Sequence, residues 1–182
     1  MNYTSEYMEE QAALQTAARM CAAARTAPKA HGKDTLHTLV LTGEDKEALA
    51  VMMEQVGRRE LGDKMGSWYG RDAANVRASS AVVLIGAEKK YRGVPHCGYC
   101  GHKDCGECKS SGGNCALAYV DLGIAVSSAV SIAADSRVDN RIMFSIGKAA
   151  AEMEFVSDTL WMGIPISISG KSIFYDRGVF HD

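Results

Sequence analysis

The sequence predicts an α/β or α+β fold in which strands and helices are interleaved. Helical periodicity and strand patterning alternate along the chain. The segments with strand character, 36–41, 81–87 and 160–169, are short and separated by helical stretches. The composition, 47% hydrophobic and 23% charged over 182 residues, is that of a globular chain with a sizeable core. We therefore expect a single domain over residues 1–182.

Residues 5–26 read as an amphipathic helix. Thr4 or Ser5 can cap it, and Glu6, Glu9 and Glu10 suit its positive end. Ala13, Leu14, Ala17, Met20, Cys21 and Ala24 recur at helical spacing, and Pro28 ends the run. Leu36–Leu41 is a short strand. Thr42, with Asp45 three residues on, opens a second helix through about Arg59. Gly62, Gly66 and Gly70 break any long element across 62–79. Ala81–Ala87 reads as a buried strand, and residues 97–114 as a glycine- and cysteine-rich loop. Ala116–Ala134 is a long helix, apolar on nearly all sides: Leu117, Val120, Leu122, Ile124, Val126, Val130 and Ile132 keep to no single stripe. Such a helix calls for burial all round. A shorter helix is expected near 148–155. The alternation of Ile164, Ile166 and Ile168 marks a last strand.

The formal net charge is −2 with no basic stripe, so nucleic acid is not an expected partner. No apolar run is expected to reach the roughly 20 residues of a membrane span. Residues 1–11 are acidic and lack the basic, then apolar, pattern of a secretory signal. Six cysteines are present, five of them between Cys97 and Cys115. A disulfide scaffold would spread them through the chain, so we expect a cytoplasmic protein with reduced thiols available to a metal.

The segment reads Cys97-Gly-Tyr-Cys100-Gly-His-Lys-Asp-Cys105-Gly-Glu-Cys108, with Cys115 after six more residues. A cluster needs four thiolates converging on one point. Short C-x2-C steps present two sulfurs from one turn, and Gly98, Gly101 and Gly106 permit the positive φ such turns demand. Backbone N–H groups in these turns can bond cluster sulfides. A [4Fe–4S] cluster takes Cys97, Cys100, Cys105 and either Cys108 or Cys115. A [2Fe–2S] site fits the C-x4-C-x2-C of Cys100, Cys105 and Cys108 but needs a distant fourth cysteine. A zinc site separates its two knuckles by more residues than the four found here. The first reading is favoured.

The pattern C-G-x-C-G-x-x-x-C followed by a later cysteine resembles the [4Fe–4S] domain of corrinoid iron–sulfur proteins and electron-transport complexes. The resemblance implies Cys97, Cys100, Cys105 and Cys115 as ligands within a cluster-binding segment 92–115, with Cys108 the alternative. A helix beginning at Ala116, capped by Asn114, would place Cys115 near its positive end, where a thiolate is stabilised.

Ala24-Arg-Thr-Ala-Pro28-Lys-Ala-His-Gly32-Lys-Asp34, the strand 81–87 and the helix from Asp121-Leu-Gly-Ile-Ala125 resemble nitroreductases in content and order. That resemblance implies a two-layer α/β sandwich carrying an inserted Cys-rich iron–sulfur loop. It also implies a homodimer with the long helix at its interface, and FMN between the subunits. Over nearly its full length the chain is similar to a bacterial and archaeal family described as containing a ferredoxin domain. The similarity rests on Ala24–Lys29, the cysteine segment, Asp121–Ala125, Val138-Asp-Asn-Arg141, Gly163-Ile-Pro-Ile-Ser167 and Gly170–Arg177.

Arg25, Lys29, Asn140 and Arg141 are candidate cofactor contacts. Their plainer reading is solvated charge at a helix end for the first two and a turn with an internal salt bridge for the others. His96 and His102 flank the cysteines as neighbours of the metal. Lys171 and Arg177 are candidates for a phosphate or a second subunit. The sequence assigns no catalytic residue. It points to an iron–sulfur redox protein, an oxidoreductase if a flavin or substrate binds beside the cluster. The alternatives are a non-enzymatic electron-transfer or sensor module and a structural zinc protein.

Overall fold

The computed structural model describes residues 1–62 and 68–175. The Thr4 hydroxyl accepts the Tyr7 N–H (3.3 Å) and opens α1 (Ser5–Thr26). A single 3-10 turn at Ala30–Gly32 leads into β1 (Leu36–Leu41). Then come α2 (Gly43–Leu61), α3 (Tyr69–Ala78) and β2 (Ala81–Glu88). After the cysteine segment, with its short α4 (Cys105–Ser110), follow α5 (Ala116–Asp135), β3 (Asp139–Asn140), α6 (Phe144–Glu152) and β4 (Thr159–Ser167).

The four strands form one antiparallel sheet in the order β1-β2-β4-β3. β2 lies inside it and is buried on both faces, which explains its unbroken apolar run. Val83 and Ile85 face a core built with Ala13, Ala17 and Met20 of α1 and Ala125 and Ala129 of α5. Val82 and Leu84 face the opposite way, toward Leu49 and Met53 of α2, Val76 of α3 and Ile146 of α6. The α+β, nitroreductase-like class holds, but helices cover both faces of the sheet, so the layers number three rather than the two expected. Each fully buried Leu, Ile or Val contributes roughly 1.5–3 kcal/mol.

Two glycines let α6 lie directly on β4. A Cβ on Gly147 would stand 1.9 Å from the Trp161 carbonyl oxygen, and one on Gly163 would stand 1.9 Å from Ile146 Cγ2. The Met143–Gly163 bridge fixes where α6 begins, so the helix starts at Phe144 rather than near 148. It ends at Glu152, because Glu154 takes a left-handed φ of 51°. Two further expectations are corrected. The loop 97–114 contains α4, and the region 62–79 contains α3, whose Gly70 lies in the first turn. Gly66 falls outside the described residues.

α5 is 20 residues long, with a mean hydropathy of 1.7, and is long and apolar enough to cross a membrane by length and composition alone. The expectation that no run reaches that length is thus overturned. Its residues Ala118, Leu122, Ala125, Val126, Ala129 and Ala133 are buried toward α1 and the sheet. The other face, with Tyr119, Val120, Gly123, Ile124 and Ser127, is exposed within the chain. The helix is therefore not covered on all sides by its own chain.

The register defines two ends of the sheet. Leu36 pairs with Ala87 and Glu88 with Thr159 at one end; Asp139 pairs with Ser167 at the other. α1 delivers its C-terminus, and α5 its N-terminus, to the first end. α5 then runs about 30 Å to the second.

Candidate metal centre

The cysteine segment leaves β2 at Glu88 and crosses the first end of the sheet. The Glu88 N–H donates to the Thr35 carbonyl (3.1 Å) and the Lys89 N–H to that of Asp158 (2.9 Å), which anchors the exit. Gly98 and Gly101 adopt φ of 61° and 80°, and the Gly101 N–H closes a turn onto the Gly98 carbonyl (2.9 Å). That turn presents Cys97 and Cys100. Asp104 caps α4 by accepting the Glu107 N–H (2.9 Å), and Cys105 is the first helical residue. Gly113 lets the chain turn back under α4. A Cβ there would lie 3.0 Å from both Cys108 Sγ and His102 Nε2. Cys115 itself is the N-cap of α5, with no side-chain capping bond, so Asn114 is not the cap expected from the sequence.

These turns surround a cavity of about 300 Å³. Cys97, Cys100, Cys105 and Cys115 line it, with Arg92, His96 and His102 in its wall. Cys108 is not part of the lining. It is fully buried and its thiol faces the Asn114 carbonyl (3.6 Å). Burial, then the hydrogen-bond contact with Cys100 and the nearby Cys100, Cys115 and Cys105 thiolates, pushes its thiol up to about 11. Burial, then the nearby Cys108, Asp158, Cys115 and Cys100, raises the Tyr91 phenol, which donates to the Gly113 carbonyl (2.6 Å). All six cysteines of the chain are free thiols.

Among the described residues, no three His, Cys, Asp or Glu side chains stand close enough to share one metal ion. Thiolates bound tetrahedrally to a single zinc at 2.3 Å are about 3.8 Å apart. The convergence on one point expected from the sequence is thus not formed; the four thiols share the lining of one cavity.

Behind the cavity lies a buried ion pair. Arg92 is 0% and Asp121 2% exposed. Arg92 Nε donates to Asp121 Oδ2 (2.6 Å) and Nη1 to the Lys90 carbonyl (2.8 Å). Asp121 Oδ1 accepts the Ala30 N–H (2.9 Å). His31, held at a φ of 57°, places Nδ1 2.9 Å from the Arg92 carbonyl and so donates to it. The pair thus joins three segments: the α1–β1 loop, the start of the cysteine segment and α5. The sequence reading did not single out Arg92. The available signal was Asp121, the one charged residue before Asp135 in an otherwise apolar helix.

The four residues expected to contact a cofactor are not brought together. Arg25 pairs with Asp34 (2.8 Å). Lys29 is tied to the carbonyls of Arg25 and Ala27 and lies 3.9 Å from Asp34. Both sit near the cysteine end. Asn140 and Arg141 lie at the other end of α5. Asp139 there accepts the Asn140 backbone N–H (3.0 Å) and forms no ion pair with Arg141. Arg141 instead donates to the Phe174 carbonyl (3.4 Å) and stacks over Tyr175. Lys171 is exposed; Arg177 lies outside the described residues.

Residues 111–177 match the family described as uncharacterized protein containing a ferredoxin domain. An uncharacterized protein from Archaeoglobus fulgidus is 40% identical over 166 residues, which covers 87% of this chain and 88% of that one. The chain belongs to this family. Among solved structures it is similar to an FMN-bound nitroreductase from Desulfitobacterium hafniense. The TM-score is 0.57 at 14% identity, covering 94% of this chain and 81% of that one. It is also similar to nitroreductase A from Vibrio parahaemolyticus, with a TM-score of 0.53 at 12% identity over 87% of this chain. The chain spans 59% of that enzyme's length. These likenesses establish the fold.

Proposed function

We propose that this protein is an iron–sulfur redox protein whose [4Fe–4S] cluster is held by Cys97, Cys100, Cys105 and Cys115. The observation that carries the reading is a single cavity at the end of the sheet lined by these four free thiols. The donor set fits the group. Four soft sulfur donors suit iron–sulfur chemistry. Cys115 at the start of a 20-residue helix is placed where a thiolate is stabilised. Cys108, outside the lining and buried with its thiol against the Asn114 carbonyl, is the poorer ligand. Once bound, the cluster supplies one-electron transfer. The protein's part is to hold four thiolates, to shield them with Tyr91 and the 92–95 strand of loop, and to present donors from the turns.

The family description and the fold both favour a redox role. FMN at a subunit interface is the finer possibility the fold suggests. The residues expected to hold it, Arg25, Lys29, Asn140 and Arg141, do not converge in one chain. We further propose a cytoplasmic homodimer joined through the exposed face of α5 (Tyr119, Val120, Gly123, Ile124).

Iron and acid-labile sulfide analysis after anaerobic reconstitution tests the cluster, with about four of each expected per chain. Stoichiometric zinc without sulfide refutes it. The visible spectrum separates the roles: a broad band near about 400 nm for a cluster alone, additional flavin peaks for a flavin oxidoreductase.

A further inference from the structure

Arg92 presents a feature the fold alone does not require. Its guanidinium is wholly buried, and two of its three nitrogens are used: Nε on Asp121 and Nη1 on the Lys90 carbonyl. Nη2 is buried with no partner among the described residues, although it carries two N–H donors. Burying an ion pair costs several kcal/mol per ion before its attraction is counted, and leaving a donor unpaired adds to that cost. Buried unpaired donors are rare and call for an acceptor. Arg92 shares the cavity wall with Cys97, Cys100, Cys105 and Cys115. Those sulfurs are the acceptors of that cavity that become anionic on binding iron.

We infer that Arg92 Nη2 donates a hydrogen bond to sulfur of the cysteine-held cluster and thereby raises its reduction potential. The inference rests on the cluster reading above. Asp121, fixed by the Ala30 N–H, holds the guanidinium so that its third nitrogen stays free for this contact. Because Asp121 neutralises the charge, the effect comes from the hydrogen bond and not from an added cation. Reduction adds negative charge to the sulfurs, so a fixed donor stabilises the reduced state more than the oxidised one.

The test uses the full chain reconstituted with iron and sulfide. The double variant Arg92→Met/Asp121→Leu leaves the pair's net charge unchanged while removing the donor. Potentiometric titration followed by EPR should show a lower midpoint potential than the parent chain, with about four irons retained. An unchanged midpoint with the cluster intact overturns the inference and leaves the cluster reading standing. A parent chain that takes up no sulfide overturns both. Pulsed EPR of the reduced parent protein labelled with ¹⁵N-arginine keeps the test open should the variant not fold. A ¹⁵N coupling that is absent from Arg92→Lys is expected, and no coupling in the parent overturns the assignment.

Discussion

Substituting Asp121→Asn should unfold the protein far more readily than its isosteric size suggests. Asparagine keeps an oxygen for the Ala30 N–H, so that bond survives. What is lost is the countercharge 2.6 Å from Arg92 Nε, in a site where Arg92 has no access to water. Removing one partner of a buried pair costs about 3–5 kcal/mol, because the other charge is left uncompensated. Against a total stability of roughly 5–15 kcal/mol, that is a third or more of the margin in most cases. Replacing both partners by Arg92→Met/Asp121→Leu should cost less than either single change. It removes both charges, and the main residual loss is the Ala30 N–H acceptor, about 1–3 kcal/mol. Urea denaturation of the metal-free chain, followed by circular dichroism, measures all the variants, and the double-mutant cycle isolates the pair. A single Asp121→Asn variant within about 1 kcal/mol of the parent would refute the reasoning, since a buried Arg92 cannot lose its partner at so little cost.

Cys115→Ala should abolish cluster assembly while Cys108→Ala retains about four irons by the same iron and sulfide assay; the reverse pair of results would exchange their roles. Gly147→Ala gains about 1 kcal/mol of helix propensity, yet its Cβ would meet the Trp161 backbone at 1.9 Å. Overpacking costs about 1–3 kcal/mol or more, so the melting temperature should fall. Glu54, Glu88 and Glu152 are held below the usual carboxylate range, mainly by hydrogen bonds from Arg77, Lys90 and Arg59 respectively. Their unfolded forms take up protons first, so their stabilisation is present above about pH 4.3 and lost as pH falls through the depressed folded values. Arg77→Ala should flatten that acid limb in urea titrations. If α5 joins two chains, Ile124→Lys should convert a dimer to a 19.5 kDa monomer in sedimentation, whereas a parent already monomeric would remove the interface.

The elements that local patterns encode were legible in the sequence. The bounds of α1 and β1 follow from a cap, a periodic stripe and Pro28, and those of β2 from a run buried on both faces; the alternation of Ile164 and Ile166 marks β4, which ends at Ser167, two residues before the expected end. The misplaced start of α6 has a different origin. It depends on Met143 pairing with Gly163, twenty residues on, and no local propensity at 144–147 announces it. Similarly, Arg25 and Lys29 offer two cations after a helix, but Asp34 consumes them in closing the loop. Asn140 and Arg141 share a motif with no route to the cysteines, because the length of α5 lies between them.

The cysteines and Arg92 show the same division within one site. Spacing of two and four residues, with glycines at turn positions, suffices to say that Cys97, Cys100 and Cys105 approach one another. It does not say which of Cys108 and Cys115 joins them, because that depends on which way α4 turns. In the fold, Asp104 caps α4 so that Cys105 faces the cavity and Cys108 packs beneath Gly113, while α5 brings Cys115 back to the rim. The Arg92–Asp121 contact spans 29 residues and carries no local signature. Yet it is what fixes the N-terminal part of α5, and with it Cys115, against the loop that follows β2. A site built this way should lose its fourth ligand's position when Arg92 is left buried without its countercharge, even if the other three cysteines are untouched; the double variant, which leaves no such charge, should keep it. Asp121→Asn should therefore lower iron uptake under conditions where the variant remains folded, and full uptake by that folded variant would separate the pair from the assembly of the site.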